Sequence, residues 1–265
     1  MSTLPVLFVS HGAPTFALEP GLAGPLLAAL GRNLPEPEAV LVVSPHWMTQ
    51  GDVMVTGTAQ PETIHDFGGF ARQLYELEYP APGHPQLAAR TVELLRQAGW
   101  QAGLDRQRGL DHGAWVPLLH LLPKAKVPVF QVSLPYPLRP QDAFRFGQAL
   151  APLREEGVLL VCSGSLTHNL HEWRRRPDSE AAYVKAFATW VREALAAGDT
   201  RRLVDYVHLA PEAERAHPTD EHFLPLLVAL GARRADDALQ VLDGGIVHGV
   251  LAMDSYLFGQ ACAAA

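Results

Sequence analysis

The stretch Val158–Asn169, VLLVCSGSLTHN, is the part of the chain from which the fold can be read. Val158 to Cys162 is an apolar, valine-containing run too short for a helix, so it reads as a strand buried on both faces. Ser163 to Asn169 then turns through small and polar residues and presents one imidazole, His168. The same arrangement occurs twice nearer the start. Val6–Ser10 (VLFVS) runs into His11-Gly12, and Val40–Ser44 (VLVVS) runs into Pro45-His46-Trp47. Packing alone gives no reason for three apolar runs each to deliver a histidine within a few residues of their end. If the runs are parallel strands of one sheet, the loops beyond their carboxyl ends share a crevice, where open α/β sheets bind ligands. The expectation is a histidine-built metal site at that edge.

The bulk composition narrows the function classes. With 265 residues, 48% hydrophobic and 18% charged, the chain can fill a core and is not of disordered type. A net charge of -7 with basic residues scattered along the chain argues against a nucleic-acid surface. No apolar stretch approaches the roughly 20 residues of a membrane helix, and Met1–Pro5 lacks the start of a signal peptide, so a cytoplasmic protein is expected. Cys162 and Cys262 are then read as free thiols without a chemical role.

Working outward from Val158, the spacing predicts helices over Gly21–Leu30, Gln86–Ala98, Arg139–Leu153 and Glu180–Ala197, each with apolar residues along one face. Gly109–Leu122 reads as a loop (GLDHGAW) followed by a short helix that Pro117 opens. Val53–Thr56, Val127–Ser133, Leu239–Leu242 and Val250–Phe258 read as further strands, and Pro211–Gly231 as helical from about Thr219. Strand, helix, strand order implies a mainly parallel central sheet flanked by helices. No linker or repeat interrupts the pattern, so residues 1–265 are read as one domain. His46 to Pro85 is unusually rich in glycine and proline, and long loops inside a domain are usually functional.

Most of the twelve histidines must be ordinary, and His84, His120 and His208 read as structural. His11 and His46 differ, because each follows a buried strand in a matched position. His222 follows Thr219-Asp220-Glu221, read here as the cap and acidic first turn of a helix. The positive helix end would keep its ring neutral, as a metal requires. A partnership with Glu221 or Asp220 is the alternative, and His217 is the local competitor. His168 and His112 suit either a ligand or an acid/base role, with Asp66 (beside His65) and Asp111 (beside His112) as possible partners.

Six segments together resemble the class III extradiol ring-cleaving dioxygenases, in particular the branch similar to DOPA 4,5-dioxygenase. They are SHGAP (Ser10–Pro14), SPHW (Ser44–Trp47), HDFGGF (His65–Phe70), GLDHGAWVPL (Gly109–Leu118), GSLTHNL (Gly164–Leu170) and HFLPLL (His222–Leu227), in one order over nearly the whole chain. By this resemblance His11, His46 and His222 fall on metal-ligand positions. His168 falls on the acid/base position, also used as a fourth ligand in some members. His112 falls on a second, substrate-facing histidine, and His65 on a pocket loop. Better-studied relatives use two histidines and a glutamate on Fe(II), whereas His222 stands at the third position here. Three imidazoles suit Zn(II) as well as Fe(II). Glu221 is not expected to replace His222, because on a helix it would point about 100° away.

The resemblance implies one Fe(II) or Zn(II) ion per chain, and cleavage of a DOPA-like catechol by O2 to a ring-opened semialdehyde acid. His168 would move a proton and His112 would stabilise charge on the substrate oxygen. Zinc-dependent hydrolysis on the same ligands and a non-catalytic binding role are the rivals. A serine hydrolase is disfavoured, since Ser163-Gly164-Ser165 lacks the G-x-S-x-G elbow. The six segments contain no Lys or Arg; Arg72, Arg106 and Arg108 merely flank two of them. Recognition is therefore not expected to depend on a substrate carboxylate. The oligomeric state is not legible.

Overall fold

In the computed structural model, which describes residues 3–175 and 179–260, the three histidine-delivering runs lie side by side. They are β1 (Val6–Ser10), β2 (Ala39–Gln50) and β6 (Val158–Gly164). β6 is in the middle, pairing in parallel with β1 through Val6↔Leu160 to Ser10↔Gly164, and with β2 through Ala39↔Val158 to Val43↔Cys162. β5 (Val129–Tyr136) extends the parallel set beyond β2. Two short strands follow it, β3 (Val53–Thr56) and β4 (Ala102–Asp105). On the other side β7 (Leu239–Leu242) and β10 (Ser255–Phe258) pair antiparallel, β10 against β1. Among the described residues the order is β4-β3-β5-β2-β6-β1-β10-β7, and β8 (Ile246–Val247) and β9 (Leu251–Ala252) form a separate hairpin.

Every residue of β1 and β6 is buried, as a strand covered on both faces requires. The helices Pro140–Leu150 and Leu224–Ala232 pack on each other, the latter also against β6 and β1, while Ala23–Asn33 and His112–Leu121 pack on each other, the latter also against β2 and β6. These are the layers of a mostly parallel α/β domain. Burying each large apolar side chain, such as Phe8, Phe130 and Phe146, contributes about 1.5–3 kcal/mol. No helix among the described residues is long and apolar enough to cross a membrane.

Several local expectations need correction. Pro117 does not open its helix; it sits inside His112–Leu121, where the wholly buried apolar surroundings outweigh one missing amide bond. β2 does not end at Ser44 but continues to Gln50, with its register against β5 shifting between Val43 and Met48. Thr219–Phe223 is a turn, and the helix starts at Leu224, with Pro225 in its first turn. Thr219 Oγ1 is spent on Glu221 Oε1 (3.0 Å) and caps nothing. Val250–Phe258 is split between β9 and β10. β4 was not foreseen, because Ala102-Gly103-Leu104-Asp105 has no β-branched residue. Cys162 is buried in β6 with its thiol pushed up by burial, while Cys262 lies outside the described residues.

Candidate metal centre

The carboxyl end of β6 gathers residues from distant parts of the chain. The His11 amide donates to the Gly164 carbonyl (2.9 Å), and the Ser165 amide donates to the His222 carbonyl (2.9 Å). A Cβ on Gly164 would stand 2.4 Å from that His222 carbonyl, so only glycine lets both backbones close in. His46 enters from the irregular part of β2. Its ring lies against Gly113, where a Cβ would meet Ser44 Oγ at 2.3 Å and His46 Cδ2 at 3.0 Å.

His11, His46 and His222 thereby each offer a ring nitrogen within 4.8 Å of the others. Their centroids form a near-equilateral triangle: His11–His46 5.1 Å, His46–His222 5.1 Å and His11–His222 5.5 Å. The outward nitrogens have partners. His11 Nδ1 lies 2.9 Å from Ser163 Oγ, His222 Nδ1 2.9 Å from Glu221 Oε1, and His46 Nδ1 3.7 Å from Asp66 Oδ2. A carboxylate can only accept, so Glu221 puts the His222 proton on Nδ1 and leaves Nε2 with a free lone pair. That Nε2 is buried without a hydrogen-bond partner. His11 and His46 bring their Nε2 atoms to 3.1 Å, a contact that a proton or a shared cation relieves.

Burial, and then the neighbouring imidazoles, hold His11 and His222 well below the usual histidine range. Burial and His112 push His46 down to about 3 against the opposing pull of Asp66. All three are neutral near pH 7. Buried neutral imidazoles with inward lone pairs and outward proton acceptors fit a first-row metal ion.

His112 and His168 border the same space. The His168 amide is fixed by the Ala216 carbonyl (2.8 Å), and its ring stacks on His222 at 3.5 Å between centroids and 10° between planes. Burial lowers it to about 4, with Glu221 pulling upward. His112 begins its helix, and its ring lies 3.9 Å from that of His46. Its amide donates to Asp66 Oδ1 (2.9 Å), and its Nδ1 lies 3.0 Å from the same oxygen at an angle unsuited to a second hydrogen bond. Burial would raise the Asp66 carboxyl, but these contacts outweigh it and hold it at about 2.

Asp66 thus serves His112 and His46, and not its neighbour His65. Asp111, beside His112 in sequence, turns into the core. It accepts from Ser44 Oγ (2.8 Å), Gln131 Nε2 (2.8 Å) and Arg108 Nη2 (3.2 Å), and its amide donates to Gln131 Oε1 (2.9 Å). Arg108 Nη2 also donates to the His46 carbonyl (3.2 Å). This buried network ties β2, β5 and the His112 turn together.

Over the histidines opens a cleft of about 990 Å³, lined by His46, His112, His168 and His222 and walled by Phe67, Phe70 and Trp173. His65 does not line it. Its Nε2 is tied to the Leu77 carbonyl (3.0 Å) behind Phe67, which takes the place expected of His65. His217 stays apart as well, with Nε2 on the Leu166 carbonyl (2.9 Å). His84 caps the helix Pro85–Gln97, His120 meets the Phe16 carbonyl, and His208 pairs with Asp205 at the surface. Ser163 and Ser165 are buried and spent on His11 and the Thr167 carbonyl, which closes the serine-nucleophile alternative. The outer roles of Ser163 and Gln131 carried no signal in the sequence beyond polarity near a motif, whereas Glu221 and Asp66 were legible there as possible partners.

A parallel sheet with neutral histidines converging at its carboxyl edge, beneath an open cleft, defines a candidate mononuclear metal enzyme. Residues 26–259 match the family described as the catalytic LigB subunit of aromatic ring-opening dioxygenase. Proteins named 4,5-DOPA dioxygenase extradiol are similar over nearly the whole chain. The one from Beta vulgaris is 39% identical over 95% of each chain, and the one from Escherichia coli K12 40% identical over 97% of this chain and 95% of its own. A crystal structure of an uncharacterized protein from Escherichia coli K12 superposes with a TM-score of 0.77 at 34% identity, covering 97% of this chain and all of the other. The chain belongs to the LigB family and is an extradiol aromatic ring-opening dioxygenase.

Proposed function

We propose that this dioxygenase opens a DOPA-like catechol outside its two hydroxyls, both atoms of O2 entering a semialdehyde acid product, with one ion held by His11, His46 and His222. The observation that supports this reading is the convergence of the three inward ring nitrogens, with the partnerless Nε2 of His222 among them. An Fe(II) ion bound there would offer a positive centre to the catechol oxygens and O2, and a path for electrons between them.

The remaining work falls to the chain. His168 is neutral at pH 7, so it can take a proton from a catechol hydroxyl; Glu221 offsets the charge it then gains, and the proton can be returned as the ring opens. His112, braced by Asp66, faces the cleft and steadies the substrate oxygen. Phe67 meets His112 edge-on at 5.7 Å and, with Phe70 and Trp173, gives an aromatic ring an apolar wall that excludes water.

The ligand set being entirely histidine suits Zn(II) as well as Fe(II), so the choice of Fe(II) is part of the proposal. The test is oxygen uptake with DOPA, caffeate and protocatechuate after anaerobic loading with Fe(II) or Zn(II). Uptake only with Fe(II) is expected. Uptake with Zn(II) alone would overturn the choice of metal, and uptake with none of the three catechols would overturn the substrate.

A further inference from the structure

The cleft is larger than a bare catechol needs. At about 990 Å³ it stands at the upper end of the roughly 300–1,000 Å³ that hold a whole drug-sized ligand. Space therefore remains for a substituent on the ring, and the wall around that space has a direction. Phe67 contacts His112, Phe70 contacts Phe67 at 5.6 Å, Trp173 follows at 6.4 Å, and His248 stands edge-on to Trp173 at 6.1 Å. An aromatic arc thus leads from the candidate chemistry to His248. That residue has φ +51°, a left-handed conformation that non-glycine residues adopt mainly where the surroundings impose it. The turn between β8 and β9 imposes it here, and Gly249 beside it is left-handed too.

Charge is distributed unevenly around this space. Among the described residues, the carboxylates bordering the cleft are Glu19 and Asp66, which repel an anion. Among the described residues, the permanent cation bordering it is Arg174, directly after Trp173. The three arginines that flank the motifs are elsewhere. Arg72 pairs with Glu76 on the surface, Arg108 is held between Asp111 and the Trp47 ring, and Arg106 is exposed outside the cleft. Arg174 closes the one-turn helix Leu170–Trp173, which follows His168 by a single residue. Arg174 and His168 border the same cleft, so a side chain on a ring held at His168 has the guanidinium within the space it occupies.

Building on the extradiol reading, we propose that Arg174 is the specificity-determining residue of the cleft, receiving a carboxylate carried on a short side chain of the catechol, with Trp173 and His248 walling that side chain. The planar guanidinium can take both carboxylate oxygens at once, which a lysine cannot do. The substrate class is then an aryl-linked carboxylic acid and not a simple catechol, contrary to the expectation from the motif segments alone.

The test is anaerobic calorimetric binding to the Fe(II)-loaded protein of DOPA, 3,4-dihydroxyphenylpropionate, dopamine and 4-methylcatechol, for wild type, Arg174→Gln and Arg174→Lys. The two carboxylated ligands should bind wild type about 10-fold or more tighter than the other two. Arg174→Gln should erase that difference without weakening dopamine or 4-methylcatechol, and Arg174→Lys should restore part of it. Equal affinities in wild type, or an equal loss across all four ligands in Arg174→Gln, would overturn the proposal. Oxygen uptake measured on the same samples separates the two readings. Uptake without carboxylate preference removes this subsite alone, carboxylate-dependent binding without uptake removes the ring-cleavage reading alone, and no catechol binding at all removes both.

Discussion

The imidazoles of His168 and His222 lie face to face, centroids 3.5 Å apart and planes within 10°, so a candidate acid/base and a candidate metal ligand share one wall of the cleft. His222 is also held at its Nδ1 by Glu221 and through its backbone by Ser165. Removing His168 therefore takes away a neighbour of His222 but neither of those anchors. His168→Ala is expected to retain metal and bind a catechol, while turnover falls roughly 10²- to 10⁴-fold. Metal analysis, anaerobic catechol binding and kcat on one preparation check this; loss of metal would make His168 a fourth ligand.

His11→Ala, His46→Ala and His222→Ala should each lose bound metal and stay folded, since each removes one inward nitrogen from the triangle. Metal content and circular dichroism are the measurements. Full occupancy in His222→Ala would move the third ligand to Glu221, which stands within ligand distance in a second grouping with His168.

Glu221 is placed to act on the metal through His222. Glu221→Ala removes the acceptor that fixes the His222 proton on Nδ1, and metal affinity should fall about 10- to 100-fold. Competition against a chelator of known affinity measures it. An unchanged affinity would mean that burial alone orients the ring.

Gly164→Ala should damage the site without touching a ligand. The added methyl would stand 2.4 Å from the His222 carbonyl and 3.1 Å from the Phe8 ring, both on packed elements. Overpacking of this kind costs about 1–3 kcal/mol, and relief requires the His222 turn to move away from β6. The expected result is a lower melting temperature together with weaker metal binding. A lower melting temperature with unaltered metal binding would show that the strain relaxes elsewhere.

His217 gives a pH signature apart from the metal. Burial brings its pKa from 6.5 to about 4, against the pull of the Leu166 carbonyl. Between those values the unfolded chain binds the proton and the folded one does not, so stability falls as pH drops from about 6.5 towards 4, by up to about 3 kcal/mol. His217→Gln, whose amide can still donate to Leu166, should flatten that part of the profile by up to one proton's worth. Urea unfolding of both proteins across pH 4–7 makes the comparison, and parallel profiles would sink the assignment.

The sequence by itself determined the frame of this protein. Valine-rich runs of strand length, small residues at their ends and helical spacing between them are local signals, because burial on both faces of a strand or one face of a helix must be written into neighbouring residues. They placed β1, β2 and β6 and delivered His11, His46 and His168 to one edge, and the motif order carried His112 and His222. The tertiary structure alone decided what those histidines touch. Whether Asp66 serves His65 or His112, whether Glu221 points away from His222 or bonds it, and whether Phe67 or His65 faces the cleft all depend on side-chain direction at turns. No periodicity governs direction there. The buried Ser44–Asp111–Gln131 network and the seat of Arg174 on the cleft join residues far apart in the chain. Such meetings follow from strand order and packing, which are settled only when the whole sheet has formed.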